Sequence, residues 1–169
     1  LWAQKRWRAE RVMVLDFDAH HGDGTEEILA DRPGVRFLSL FQWPLFPHRR
    51  MEPTPSNAVL SPLPAGAGGE EIRNVVENVW LPEIDKFQPD LMILSAGFDA
   101  HCEERIAQLK AGEMDYACVT RLLVEASFAY CEGRLVSVLE GGYELRSLAR
   151  SVFTHLQGLI RNPLPAETC

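Results

Sequence analysis

Val12-Met13-Val14-Leu15-Asp16-Phe17-Asp18-Ala19-His20-His21-Gly22-Asp23-Gly24 is the stretch on which the reading of this chain turns. Val12 to Asp16 is a short apolar run with almost no alternation, the pattern of a strand covered on both faces. It gives way at once to residue types that ligate metals. In open parallel sheets the ligand crevice lies beyond the carboxyl ends of the strands, so this segment stands where a site would be built. Residues two apart in an extended segment point the same way, so Asp18 and His20 can converge on one point with Asp16 behind them. The competing reading makes Asp16 and Asp23 helix caps and leaves His20 and His21 on a loop surface.

Working outward, three more apolar runs read as buried strands: Val35 to Leu40, Leu91 to Ala96 and Leu135 to Leu139. Helical periodicity is expected near Thr25 to Ala30, from Glu70 to Lys86, from Met114 to Tyr130 and from Leu145 to Ile160. Alternating strand and helix predicts an α/β fold, a parallel sheet covered by helices on both faces. Phe41 to Gly69 carries Pro44, Pro47, Pro53, Pro55, Pro62 and Pro64 and is expected to be one long loop, a length that in compact domains accompanies function. No repeat or linker divides residues 1–169, so a single domain is expected.

The third strand runs into Gly97-Phe98-Asp99-Ala100-His101 at the same sheet edge, and Asp99 would complete an Asp, His, Asp set. Three protein ligands leave zinc with open positions for water and substrate, the pattern of a catalytic site. The same donors accept ferrous iron. The plainer reading of this segment has Asp99 capping a turn and His101 on the surface. The fourth strand leads into Glu140-Gly141-Gly142-Tyr143, where the glycines permit a close backbone approach and Tyr143 is presented at the rim. A phenol beside a metal can donate to a developing oxyanion; otherwise Tyr143 is a half-buried residue of a strand-to-helix turn. Cys102 beside His101 is a poor nucleophile pair, since neighbours in an extended segment face opposite ways.

The 169 residues suffice for a packed core, and 46% apolar with 24% charged residues is ordinary for a globular chain. A net charge of −7 argues against binding to nucleic acid or to an anionic membrane. The cysteines Cys102, Cys118, Cys131 and Cys169 form no CxxC pair, which with the absence of a long apolar run and of a signal core predicts a cytoplasmic location.

Taken together, Asp16 to Thr25, Ser95 to His101 and Glu140 to Tyr143 resemble the zinc-dependent histone deacetylase and acetylpolyamine amidohydrolase family, with its arginase/deacetylase fold. The likeness runs from about residue 11 to 160, includes Pro64-Ala65-Gly66-Ala67-Gly68, and is nearest to bacterial members of class II character. The resemblance implies that Asp18, His20 and Asp99 are zinc ligands and that Tyr143 polarises the substrate carbonyl. It implies that Asp16 and Asp23 orient two active-site histidines, one of them the general base. It implies potassium bound at Asp16, Asp18, His20, Ser39 and Leu40, with a second site near Leu29, Arg32 and Val35. The activity implied is removal of acetyl groups from acetyl-lysine or acetylpolyamine substrates.

The departures also carry expectations. The two histidines belong to a His-His motif upstream of the zinc strand, where this sequence has only Leu1 to Glu10, so the general base is expected to be missing and the fold to be incomplete, the C-terminal half of a deacetylase domain. Phe41 stands where many relatives carry His, the Trp43 to Arg50 loop lacks the usual glycines, and Glu103-Glu104-Arg105 replaces a more usual Asp-Pro-Leu segment. The alternative function is therefore a catalytically incompetent homologue acting as a metal-binding or interaction module. A two-manganese ureohydrolase fits less well, because the third-strand motif offers Asp99 and no second carboxylate two residues on. Half of a doubly covered sheet would expose apolar surface, which predicts a homo-oligomer or pairing with a missing N-terminal half.

Overall fold

A computed structural model describes residues 2–48 and 53–160. Part of the predicted Trp43 to Arg50 loop, and Cys169, lie outside the described residues. The strands are Val12–Asp16 (β1), Val35–Gln42 (β2), Ala58–Leu63 (β3), Leu91–Ala96 (β4) and Leu135–Leu139 (β5). The helices are Trp2–Trp7 (α1), Asp23–Leu29 (α2), Gly69–Val75 (α3), Leu81–Phe87 (α4), Glu113–Cys131 (α5) and Leu145–Leu159 (α6), with a π-helical turn, Val76–Trp80, joining α3 to α4. All strand pairs are parallel and the sheet order is β3-β2-β1-β4-β5. The predicted α/β class is found, with β1 at the centre.

Two elements depart from expectation. β3 lies inside the stretch predicted to be one long loop. Its Pro62 stands opposite Phe41 on a strand that, among the described residues, pairs with β2 alone, and an edge strand tolerates the missing N–H that would break a central ladder. α1 precedes the first strand, where no helix is expected; its exposed Trp2 and Trp7 rings meet edge to face at 4.9 Å. The Glu70 to Lys86 pattern is realised as α3, the π turn and α4 in unbroken succession.

Strand parity sorts the core. Met13, Leu15, Leu38, Leu40, Met92 and Leu94 share one face of the sheet and pack against Ile72, Val76, Trp80, Ile84, Val119 and Leu123 from the helices. Each such side chain, fully buried, contributes roughly 1.5–3 kcal/mol. On the opposite face α2 covers β2, where the His21 ring lies 4.6 Å from Phe41 and 6.2 Å from Phe37. That cover does not reach β5, which is not the doubly buried strand its sequence suggests: Val136, Val138 and Leu139 are 50%, 47% and 58% exposed. α6 lies close against α5 through small residues, since a Cβ on Gly158 would come 2.8 Å from Thr120 Cγ2. Between them the buried His155 is held by two hydroxyls. Thr120 Oγ1 donates to the Tyr116 carbonyl (2.6 Å) and therefore accepts from His155 Nδ1 (2.6 Å), leaving Nε2 to accept from Ser137 (2.8 Å).

Candidate metal centre

β1, β4 and β5 are neighbours in the sheet, and Asp16 stands opposite Ser95 in register, so the segments after these strands emerge side by side. β1 delivers Asp18 and His20, β4 delivers Asp99 and β5 delivers Gly141 to Tyr143. One ligand atom from each of Asp18, His20 and Asp99 lies within 4.8 Å of the others. His20 Nδ1 is 2.8 Å from Asp99 Oδ2 and 3.1 Å from Asp18 Oδ1. The expected trio is thus brought together, and the reading of His20 and Asp99 as surface and cap residues fails: Asp99 is fully buried.

Backbone amides set the carboxylates. Ala19 N–H donates to Asp99 Oδ1, His20 N–H to Asp18 Oδ1 and Gly141 N–H to Asp18 Oδ2, each at 2.8 Å. Asp18 N–H in turn donates to Asp16 Oδ1 at 3.0 Å. These bonds leave Asp99 Oδ2 and His20 Nδ1 turned toward each other. Glycine is required for this closeness, because a Cβ on Gly141 would sit 2.5 Å from both Asp18 Oδ2 and Asp99 Oδ2, and one on Gly97 would collide with Asp18.

Electrostatically the trio is a candidate cation site, two carboxylates facing one imidazole. The Asp18 carboxylate, then that of Asp99, pushes His20 up to about 10, so an imidazolium proton is held where a metal cation would neutralise the same charge. Burial pushes Asp99 up against the opposing bond from His20. Burial also pushes Asp18 up, but the ring and backbone bonds from His20 and the Gly141 amide outweigh it and hold Asp18 below the usual carboxylate range. An oxygen, nitrogen, oxygen donor set, partly buried and with excess negative charge, fits Zn²⁺ and fits Fe²⁺ as well.

The remaining predicted residues are placed as follows. Tyr143 is at the rim, 61% exposed, and burial followed by the Asp99 and Asp18 charges raises its phenol, keeping it protonated. Asp16 is buried beneath Asp18 and pushed well up by burial. Asp23 stands outside the trio at the start of α2, where its carboxylate accepts the Gly24 N–H (2.8 Å). Ser39 pairs in register with Asp16 and its hydroxyl lies 3.4 Å from His21 Nδ1, whereas the Leu40 side chain belongs to the core. Near Leu29, Arg32 and Val35, Asn57 Nδ2 donates to the Leu29 carbonyl at 2.8 Å and to that of Val35 at 3.3 Å.

Sequence reasoning missed three groups here. His21 is buried and sits 2.5 Å from the buried Glu26, a pair five residues apart that no motif announces. His101 is buried rather than on the surface: its Nδ1 accepts the Glu103 N–H (3.1 Å) and its Nε2 faces Glu113 at 3.5 Å. Glu104 Oε1 accepts two amides of the tyrosine loop, from Tyr143 (2.7 Å) and Glu144 (2.8 Å), a contact invisible before the loops are brought together.

Comparison with known proteins gives the ancestry. Residues 1–159 match the histone deacetylase domain. A probable deacetylase of Archaeoglobus fulgidus is 38% identical over 142 residues, covering 80% of this chain and 40% of that protein. The chloroplastic histone deacetylase 10 of Oryza sativa subsp. japonica is 33% identical over 168 residues, covering 96% of this chain and 38% of that protein. The crystal structure of the HDA15 HD domain superposes with a TM-score of 0.85 at 28% identity, over 97% of this chain and 48% of that one. The chain therefore spans less than half the length of these relatives, and across that span, motifs and fold together, it belongs to the histone deacetylase domain family.

Proposed function

We propose that the chain carries the metal half of a zinc-dependent amide hydrolase that removes acetyl groups from acetyl-lysine or acetylpolyamine-type substrates. The observation that carries this is the convergence of Asp18, His20 and Asp99 within 4.8 Å beside a protonated rim tyrosine. These three residues would hold the zinc, which when bound supplies Lewis acidity toward the acetyl carbonyl and a more acidic water. Tyr143 donates its phenolic hydrogen bond to the carbonyl oxygen and strengthens that bond as negative charge develops there. Asp16 supports Asp18 through the Asp18 amide and keeps the ligand strand in register. Asp16, Asp18, His20, Ser39 and Leu40 form the proposed potassium site, and Asp23 is the proposed partner of a histidine outside this sequence. The net charge of −7 suits a cationic substrate such as an acylated polyamine or lysine side chain.

A second reading is favoured by one observation: the buried histidines His21, His101 and His155 are engaged away from the trio, with Glu26, Glu113 and Thr120, so none of these three is placed as a base beside it. Without a base to take the proton from water, the same site binds metal and does not turn over. The deciding experiment measures zinc content after dialysis together with acetate release from an acetyl-lysine peptide and from an acetylpolyamine. Zinc with acetate release supports the hydrolase; zinc without release supports the metal-binding module; no zinc overturns both.

A further inference from the structure

The segment between the two fixed ends of the tyrosine loop is held by one side chain. Up to residue 141 the loop is tied to the sheet and ligands: Glu140 N–H donates to the Ala96 carbonyl (3.0 Å), Phe98 N–H to the Gly141 carbonyl (2.9 Å), and Gly141 N–H to Asp18 (2.8 Å). From residue 144 onward α6 takes over, with Glu144 Oε2 accepting from Arg146 (3.0 Å) and Ser147 (2.7 Å). Between these lies Gly142, at a φ of +133°, which provides no stiffness of its own. The Tyr143 and Glu144 amides precede the first helical turn and have no intrahelical acceptor. Both donate to the same oxygen, Glu104 Oε1.

Glu104 is itself anchored to the segment that bears Asp99. Its N–H donates to the His101 carbonyl (2.9 Å), His101 is buried, Ala111 N–H donates to Ala100 (3.0 Å) and Cys102 N–H to Ala111 (2.8 Å). Arg150 of α6 also pairs with Glu103 of this segment at 2.7 Å and with Glu113. We infer that Glu104 is a positioning residue: by accepting the Tyr143 and Glu144 amides it sets where the Tyr143 phenol stands relative to the Asp18, His20, Asp99 group. The inference rests on the reading of Tyr143 as the carbonyl-polarising phenol. A charge-assisted bond is about twice as strong as a neutral one, and here a single carboxylate oxygen makes two.

The test compares wild type, Glu104→Gln and Glu104→Ala in ¹⁵N-labelled chain, reading amide shifts and hydrogen exchange at Tyr143 and Glu144 with Leu15 and Leu94 as core references. In Glu104→Ala, exchange at Tyr143 and Glu144 should rise about tenfold or more while the core references stay unchanged. Glu104→Gln, which keeps an acceptor oxygen, should fall between. Wild-type exchange and shifts at Tyr143 and Glu144 in Glu104→Ala would overturn the inference. Where the wild-type chain releases acetate, Glu104→Ala should lower kcat about tenfold with KM unchanged; an unchanged kcat would overturn it as well. A wild-type chain without turnover refutes the hydrolase reading alone, because the amide measurement still decides whether Glu104 holds the loop.

Discussion

Gly141 N–H donates to Asp18 Oδ2 at 2.8 Å across 123 residues of sequence, joining the tyrosine loop directly to a carboxylate of the candidate metal centre. The bond exists only because residue 141 has no side chain, since a Cβ there would stand 2.5 Å from carboxylate oxygens of both Asp18 and Asp99. Gly141→Ala is expected to cost about 2 kcal/mol through forced displacement in a packed site. It should also abolish zinc retention. Thermal unfolding and elemental analysis of the same preparation check both; a variant with wild-type melting and zinc would show that the ligands yield without cost.

The Asp99 carboxylate is the proposed ligand contributed by β4, and its other oxygen is already bound by the Ala19 amide. Asp99→Ala therefore removes a ligand and leaves that buried amide unpaired, at about 1–3 kcal/mol. Wild type should keep about one zinc per chain after dialysis and Asp99→Ala none. One-to-one zinc in the variant would refute the assignment.

His155 predicts a pH dependence of stability. Burial depresses it to about 4 from an ordinary 6.5, and its ring lies against Phe17 and Phe98 and between the Thr120 and Ser137 hydroxyls, none of which offers a charge to a proton. Between these values the unfolded chain binds more protons, so stability is fully present above pH 6.5 and is lost as pH falls toward 4. The loss from this group is roughly 3 kcal/mol. Urea unfolding between these pH limits should show a shallower dependence in His155→Gln than in wild type; equal slopes would refute it.

Among the described residues β5 ends the sheet with an unpaired ladder, and its Val136 and Val138 are about half exposed. Self-association through this edge by a second copy is expected, because exposed apolar edges template further pairing. Sedimentation at low and high concentration should show mass action, and Val138→Lys should shift the chain toward monomer. A wild-type monomer at every concentration would refute this.

How far the sequence alone carried depends on how local each signal is. β1, β2 and β4 are legible because strands buried on both sides are continuous apolar runs. β5 reads the same way, yet three of its five residues are exposed, since a run of Val and Leu reports what a strand can bury and not what covers it. β3 was hidden by Pro62, which only its edge position excuses. α1 gave no signal strong enough to register.

The candidate trio is readable from two local facts, the two-residue spacing of Asp18 and His20 and the position of Asp99 just past a strand end. Their meeting was not local: it required β1 and β4 to be neighbours with Asp16 opposite Ser95. Burial of His21 against Glu26, the approach of Gly141 to two carboxylates, and the hold of Glu104 on the Tyr143 amide likewise arise between segments distant in space or unmarked in pattern. Residue type and short-range periodicity by themselves determined the fold class and which residues are the candidate donors. Only the tertiary structure decided their distances, their protonation and the groups that hold them, because these depend on desolvation and hydrogen bonds that form when the strand ends are packed side by side.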